Sequence, residues 1–253
     1  MEVKFQFNIK ILFVTILSFS FFQLWSQNTL EVDEIIFKVY NQDFNEVPEK
    51  IETLRKTSPQ ISQYIKIDYL WWKMISFYSN SNESEFIAEL DELKDDNKIF
   101  EYQNYDRLIY FTYQIRYENL KDKKFSKYLT LLKFHFFMKT IDMNSTIEST
   151  SFVVCMFKLM NELDEFMKYK FLYDHGFNTK INLEKCSISL QRIENIHNYE
   201  YKSFDVVKTY LLAKIYLEIE NDNQKALNKF QKLSKLFPGN NIFKLTVTSI
   251  TNR

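Results

Sequence analysis

Apolar residues recur along this chain with a helical beat. Val32, Ile35, Ile36, Val39 and Tyr40 follow i, i+3, i+4, i+7, i+8 spacing, and Phe86, Ile87, Leu90 and Leu93 do likewise, which gathers the apolar side chains on one side of a helix. The periodic stretches are separated by short polar marks: Asn41–Asn45, Thr57–Gln60, Ser79–Asn82, Asp95–Lys98, Asp142–Ser145, Gly176–Asn178, Asn198–Tyr199, Asn221–Asn223 and Pro238–Asn241. The pattern predicts an all-α chain of about ten or eleven antiparallel helices joined by connections of a few residues. Asn82 followed by Glu85 suggests a capping box, and Gly176 after Asp174 and His175 suggests a left-handed helix end.

Some helices are apolar on every side. Ile61, Tyr64, Ile65, Ile67, Tyr69, Leu70, Trp71, Trp72, Met74, Ile75, Phe77 and Tyr78 cover all directions of one; Phe134, Phe136, Phe137 and Met138 do the same in a second, and Phe152, Val153, Val154, Met156 and Phe157 in a third. Such helices are expected to be covered all round, as when one helix of a hairpin is sandwiched between its partner and its neighbours.

Composition narrows the picture. The 253 residues include only two glycines and three prolines, the residues that most turns of a sheet protein need. Phosphate-cradling loops and strained nucleophile elbows need glycines close together, and Gly176 and Gly239 stand alone. Basic and acidic side chains balance at 33 each, so no field attracts nucleic acid; Lys121, Lys123 and Lys124 are interleaved with Asp122. Residues 1–26 have the pattern of an export signal: Lys4 and Lys10, an apolar run from Ile11 to Phe22, then Ser26 before Gln27, a run too short for a membrane span of about 20 residues. An uncleaved signal anchor is the other reading, since Leu24 and Trp25 extend the stretch. No linker follows, so residues 27–253 read as one helical domain. Cys155 and Cys186 are the only thiols; an oxidising compartment would allow pairing, and two buried unpaired cysteines are the alternative.

From Val207 to Asn240 the chain reads VKTYLLAKIYLEIENDNQKALNKFQKLSKLFPGN. With Tyr210, Ala213, Ala226, Phe230 and Pro238 at matching positions, this segment resembles a tetratricopeptide repeat, the 34-residue helix–turn–helix unit. It departs from that pattern at Lys214, where glycine is usual, and at Leu217, where tyrosine is usual. Asp43, Val47, Ile51, Leu54 and Pro59 repeat the spacing of Asp222, Ala226, Phe230, Leu233 and Pro238 at a constant offset of 179 residues, marking a partial repeat over 29–59. Residues 102–199 show no clean signature and read either as decayed repeats or as an independent helical bundle. The chain also resembles exported repeat proteins of Gram-negative bacteria, mainly over residues 1–95, through the signal and the Trp71-Trp72 pair.

The repeat family implies an α-solenoid whose concave face binds protein segments. On that likeness the groove candidates are Lys208, Leu211, Ile215, Glu218 and Ile219, with Trp71 or Trp72 as an aromatic anchor; core packing of both tryptophans is the competing reading. Leu211, Ile215 and Ile219 are equally suited to cover the terminal helix, whose Ile242, Leu245 and Ile250 need burial. His135, His175 and His197 are too scattered for a metal site, no serine, cysteine or lysine sits in a nucleophile context, and Glu89, Asp91, Glu92, Asp95 and Asp96 read as a solvated helix face rather than a hydrolase pair. The expectation is therefore a non-enzymatic exported scaffold for another envelope or secreted protein, in the periplasm or at the outer-membrane periphery, with an outer-membrane complex among its settings and with no cofactor, metal or nucleic acid. A glycan- or peptide-binding module of an uptake system, using an exposed Trp71 or Trp72 as a stacking platform, is the alternative.

Overall fold

The computed structural model describes residues 29–94, 103–141 and 151–252. Among these the chain is all-helical: α1 (29–40), α2 (Val47–Arg55), α3 (Pro59–Ser76), α4 (Asn80–Glu92), α5 (Gln103–Leu120), α6 (Lys124–Thr140), α7 (Ser151–Asp174), α8 (Thr179–Asn195), α9 (Lys202–Glu218), α10 (Asn223–Leu236) and α11 (Asn241–Thr251). The export-signal segment, Asp95 and Asp96 lie outside the described residues.

Chain neighbours pack as hairpins, α2 on α3, α5 on α6, α7 on α8 and α9 on α10. The two repeat-like segments bury the same three positions: Val47, Ile51 and Leu54 on α2, and Ala226, Phe230 and Leu233 on α10. Ends are set by local chemistry. Asp222 caps α10 by accepting from the Lys225 N–H at 3.0 Å. Gly176 has φ +78, the Phe177 N–H returns to the Leu172 carbonyl at 2.9 Å and the Gly176 N–H to that of Tyr173 at 3.0 Å, the double bond that closes a helix with a left-handed residue. The Asn82–Glu85 capping box is a correction. Helix α4 begins at Asn80, and its cap is Ser79, whose side chain accepts from the Asn82 N–H at 3.2 Å; the hydroxyl sits earlier, where the first free amides point.

Helix α3 is the axis of the core. It packs on α2, α4, α5 and α7, and Trp72 reaches Tyr40 of α1, Tyr210 of α9 and Phe243 of α11 with ring centres 5.1, 5.2 and 5.4 Å away. Thus the first helix and the last hairpin share one aromatic cluster: Phe37 meets Phe237 at 5.9 Å and Tyr40 meets Tyr210 at 6.0 Å. Polar clasps reinforce this join. Asn240 Nδ2 donates to the Tyr40 carbonyl at 2.7 Å, and the Gly239 N–H donates to Asn41 Oδ1 at 2.8 Å.

The expectation that every all-apolar helix is enclosed holds for α3 up to Met74 and for the first half of α7, and fails for α6. There Phe134, Phe137 and Met138 are buried while Phe136 is 59% exposed. Helix α6 has α5 and α7 as its packing partners and nothing described on its outer side.

Candidate functional site

The residues expected to line a concave groove are mostly enclosed. Trp71 and Trp72 are 5% and 0% exposed, so neither presents a ring face to solvent, and the stacking platform imagined for them is absent from the described surface. Lys208 is buried, its ammonium donating to the Glu194 carbonyl at 3.1 Å and the Ile196 carbonyl at 2.6 Å and facing Asp205 at 3.0 Å. It closes the C-terminal end of α8, where a cation is favoured, instead of facing a partner. Ile215 is buried, Leu211 and Ile219 are half-buried against the core, and only Glu218 is exposed, paired with Lys214. The join between α1 and the last hairpin explains the difference, because packing Tyr40 on Tyr210 covers surface that an isolated repeat would show. On the terminal helix, Phe243 and Ile250 are buried, Ile242 is half-buried and Leu245 is 69% exposed.

Other candidates are occupied structurally. Glu89 pairs with Lys66 at 2.5 Å, and Asp91 pairs with Lys94 just past the end of its helix. His135 Nδ1 lies 2.8 Å from Asp164 Oδ2 and links α6 to α7, while His175 Nδ1 lies 2.8 Å from the Phe171 carbonyl. Among the described residues no group of three or more His, Cys, Asp or Glu is arranged to hold a metal ion. Cys155 and Cys186 are free and buried; burial raises both thiols, Cys186 to about 11.

Two features stand out from this background. The first is the outer face of α6. Phe125, Leu129, Leu132 and Phe136 are 78%, 45%, 53% and 59% exposed, with Tyr128 beside them at 57%. Their 4-3-4 spacing forms one straight seam, opposite the buried Thr130, Phe134 and Phe137, and has the rhythm of a helix that receives another helix. Lys124, Lys133 and Lys139 are exposed along the same helix, which contains no acidic residue. A contiguous apolar surface of this kind on a globular protein marks an interaction site more often than chance exposure does. Sequence reasoning named Phe134, Phe136, Phe137 and Met138 in α6, expected that helix to be covered all round, and passed over Phe125, Leu129 and Leu132; the signal that distinguishes the seam is two apolar stripes of different phase in one helix.

The second feature is a polar cluster at the centre of the core. Asp68 of α3 is 1% exposed, and the Tyr113 hydroxyl of α5 donates to its Oδ1 at 2.5 Å. Arg116, one turn along α5, holds Nη1 at 3.8 Å from the same oxygen, within Coulombic range but beyond a hydrogen bond. The guanidinium carbon lies 4.7 Å from the ring centres of both Trp71 and Tyr113 and 5.4 Å from that of Tyr210, a threefold cation–π contact. Burial pushes the Asp68 carboxyl up to about 6, opposed by Arg116 and Tyr113. Burial and then the Asp68 charge push the Tyr40 and Tyr113 hydroxyls well above their ordinary value. Burial works against the Arg116 charge, yet the surrounding tyrosines and Asp68 hold its pKa above the usual range.

Comparison with known proteins adds little to this geometry. No family model matches the chain, and no solved structure matches it. A local likeness exists to protein Ycf2 of the moss Physcomitrium patens, 31% identical over 114 residues, which is 39% of this chain and 5% of that protein. With so small a share of the relative matched, the likeness establishes no family.

Proposed function

We propose that this chain is a non-enzymatic, exported interaction scaffold of the helical-repeat type, and that it receives an acidic amphipathic helix of another protein on the outer face of α6. The observation that carries the reading is the exposed Phe125, Leu129, Leu132 and Phe136 seam between lysines. The helical hairpins and the shared buried triads of α2 and α10 support the repeat-solenoid architecture. The Lys4, Lys10 and Ile11–Phe22 pattern supports export and an envelope location.

An acidic helix is the favoured occupant for two reasons. The 4-3-4 spacing presents knobs and holes to a helix, whose own apolar seam would cover the aromatic rings. Charge selects among helices: a second copy of α6 would set lysine against lysine, whereas glutamates flanking the partner's seam would meet Lys124, Lys133 and Lys139.

Titrating the full chain with a synthetic helix carrying a leucine seam and glutamate flanks tests the docking. The expected result is saturable binding that weakens at least tenfold in Leu129→Glu and Phe136→Glu, with no change in thermal midpoint. Binding to vesicles of phosphatidylglycerol and phosphatidylcholine in place of the peptide, or seam-dependent self-association, would overturn it.

A further inference from the structure

The α6 seam has a relief as well as an apolar character. Side chains at positions i, i+3, i+4 and i+7 of a helix surround a hollow that a side chain from a facing helix can fill. Along α6 two such hollows lie end to end. Phe125, Tyr128, Leu129 and Leu132 enclose the first, and Leu129, Leu132, Lys133 and Phe136 enclose the second. All of these side chains are exposed. The hollows share the two leucines, and each carries one phenylalanine at its outer corner. Leu129 and Leu132 are smaller than the rings and less exposed than either, so the surface is low in the middle and high at both ends.

The hollows repeat every four residues, about 6 Å along the helix axis. Two side chains four residues apart on a facing helix cover the same distance and enter both hollows at once. The next seam positions of that helix, three residues further out at each end, then come over Phe125 and Phe136, about 4.5 Å beyond. A large residue there would meet a ring already standing in its place. Lifting the helix to relieve that contact would empty the hollows and forfeit their packing.

From this relief we infer, resting on the docking reading above, that the seam selects its partner helix by size, in the pattern small-x-x-large-x-x-x-large-x-x-small. Leucine, isoleucine or methionine fills the two inner positions, and alanine or serine the two outer ones. The seam's spacing and residue types read the same from either end of α6, so the size pattern admits the partner in both directions. Tyr128 and Lys133 break that symmetry from opposite sides of the seam, Lys133 drawing a glutamate to its own side.

Two synthetic helices of equal composition and identical glutamate flanks test the pattern. One carries leucine at the inner and alanine at the outer seam positions, and the other carries the reverse. Equal composition holds total apolar content fixed, so a difference in affinity for the full chain reports fit. The inner-leucine helix is expected to bind at least tenfold more tightly. Phe125→Ala and Phe136→Ala combined in one variant remove the rings at exposed positions, and are expected to abolish the preference while circular dichroism and thermal midpoint stay unchanged. Equal affinity of the two helices, a preference for outer leucines, or a preference that survives in the double variant would overturn the size pattern. The helix with leucine at every seam position separates this inference from the docking itself. If it binds and neither isomer does, the size pattern alone is overturned; if none of the three binds, the docking reading falls with it.

Discussion

Asp33 of α1 caps a helix that begins 169 residues later: its Oδ2 accepts from the Lys202 N–H at 3.0 Å and its Oδ1 from the Ser203 N–H at 2.9 Å. Helix α9 has no cap of its own, since Tyr201 precedes it and makes no side-chain cap bond. The first helix therefore supplies what the last hairpin lacks, a carboxylate where free amides and the positive end of the helix dipole meet. Asp33→Ala is expected to cost about 1–3 kcal/mol in urea unfolding, and Asp33→Asn less, because the amide keeps one acceptor.

The two glycines should respond differently to alanine. A Cβ on Gly239 would sit 2.4 Å from the Asn41 carbonyl oxygen, so Gly239→Ala must push apart the join between α1 and the last hairpin. Gly176 has φ +78 and nothing within 4 Å of an added Cβ, so its alanine variant pays only backbone strain of about 1 kcal/mol. Urea midpoints for the two variants test the order, with Gly239→Ala expected to be the less stable.

Asp68 predicts an unusual pH dependence. Burial raises its folded carboxyl to about 6 from the ordinary 3.8, so the native state holds the proton where the unfolded chain has released it. That contribution favours folding at low pH and is lost as pH rises from about 4 to 6, by about 3 kcal/mol in all. Relative to Asp68→Asn, the native protein should be more stable at pH 4.5 than at pH 7.5. Thermal midpoints of both proteins at the two pH values measure the difference, from which the titration of the other carboxylates cancels.

Lys208 separates a structural role from a binding one. Lys208→Met would leave the Glu194 and Ile196 carbonyls without their donor, at an expected cost of about 1–3 kcal/mol. Binding of an acidic helix to α6 should be unaffected in the folded variant, as read by the same titration.

The buried thiols give a direct probe of the core. Cys155 and Cys186 are free, buried and raised in pKa, so a thiol reagent at neutral pH should react slowly with the native protein. Both should react at once in denaturant.

Much of the local architecture was legible in the residues themselves. The 3.6-residue rhythm around Val32–Tyr40 and the scarcity of glycine and proline sufficed for the all-helical class, because helix periodicity is a short-range property. Gly176 as a helix end and Asp222 as a turn residue were equally readable, since each acts on amides within a few positions. Placement among the helices was not. Trp71, Trp72 and Lys208 look like groove residues when one hairpin is considered alone, but Tyr40 and Phe243 arrive from the two ends of the chain to cover Trp72, Phe86 and Tyr113 cover Trp71, and Lys208 is drawn onto the carbonyls at the end of α8. The α6 seam was obscured for the complementary reason. Phe125 and Phe134 are equally apolar in sequence, and only the positions of α5 and α7 decide which one meets water. Helix content follows from chemistry between residues a turn apart, whereas exposure follows from which distant helices pack together, and one amino-acid sequence read along its length does not contain that sum of long-range contacts in any local pattern.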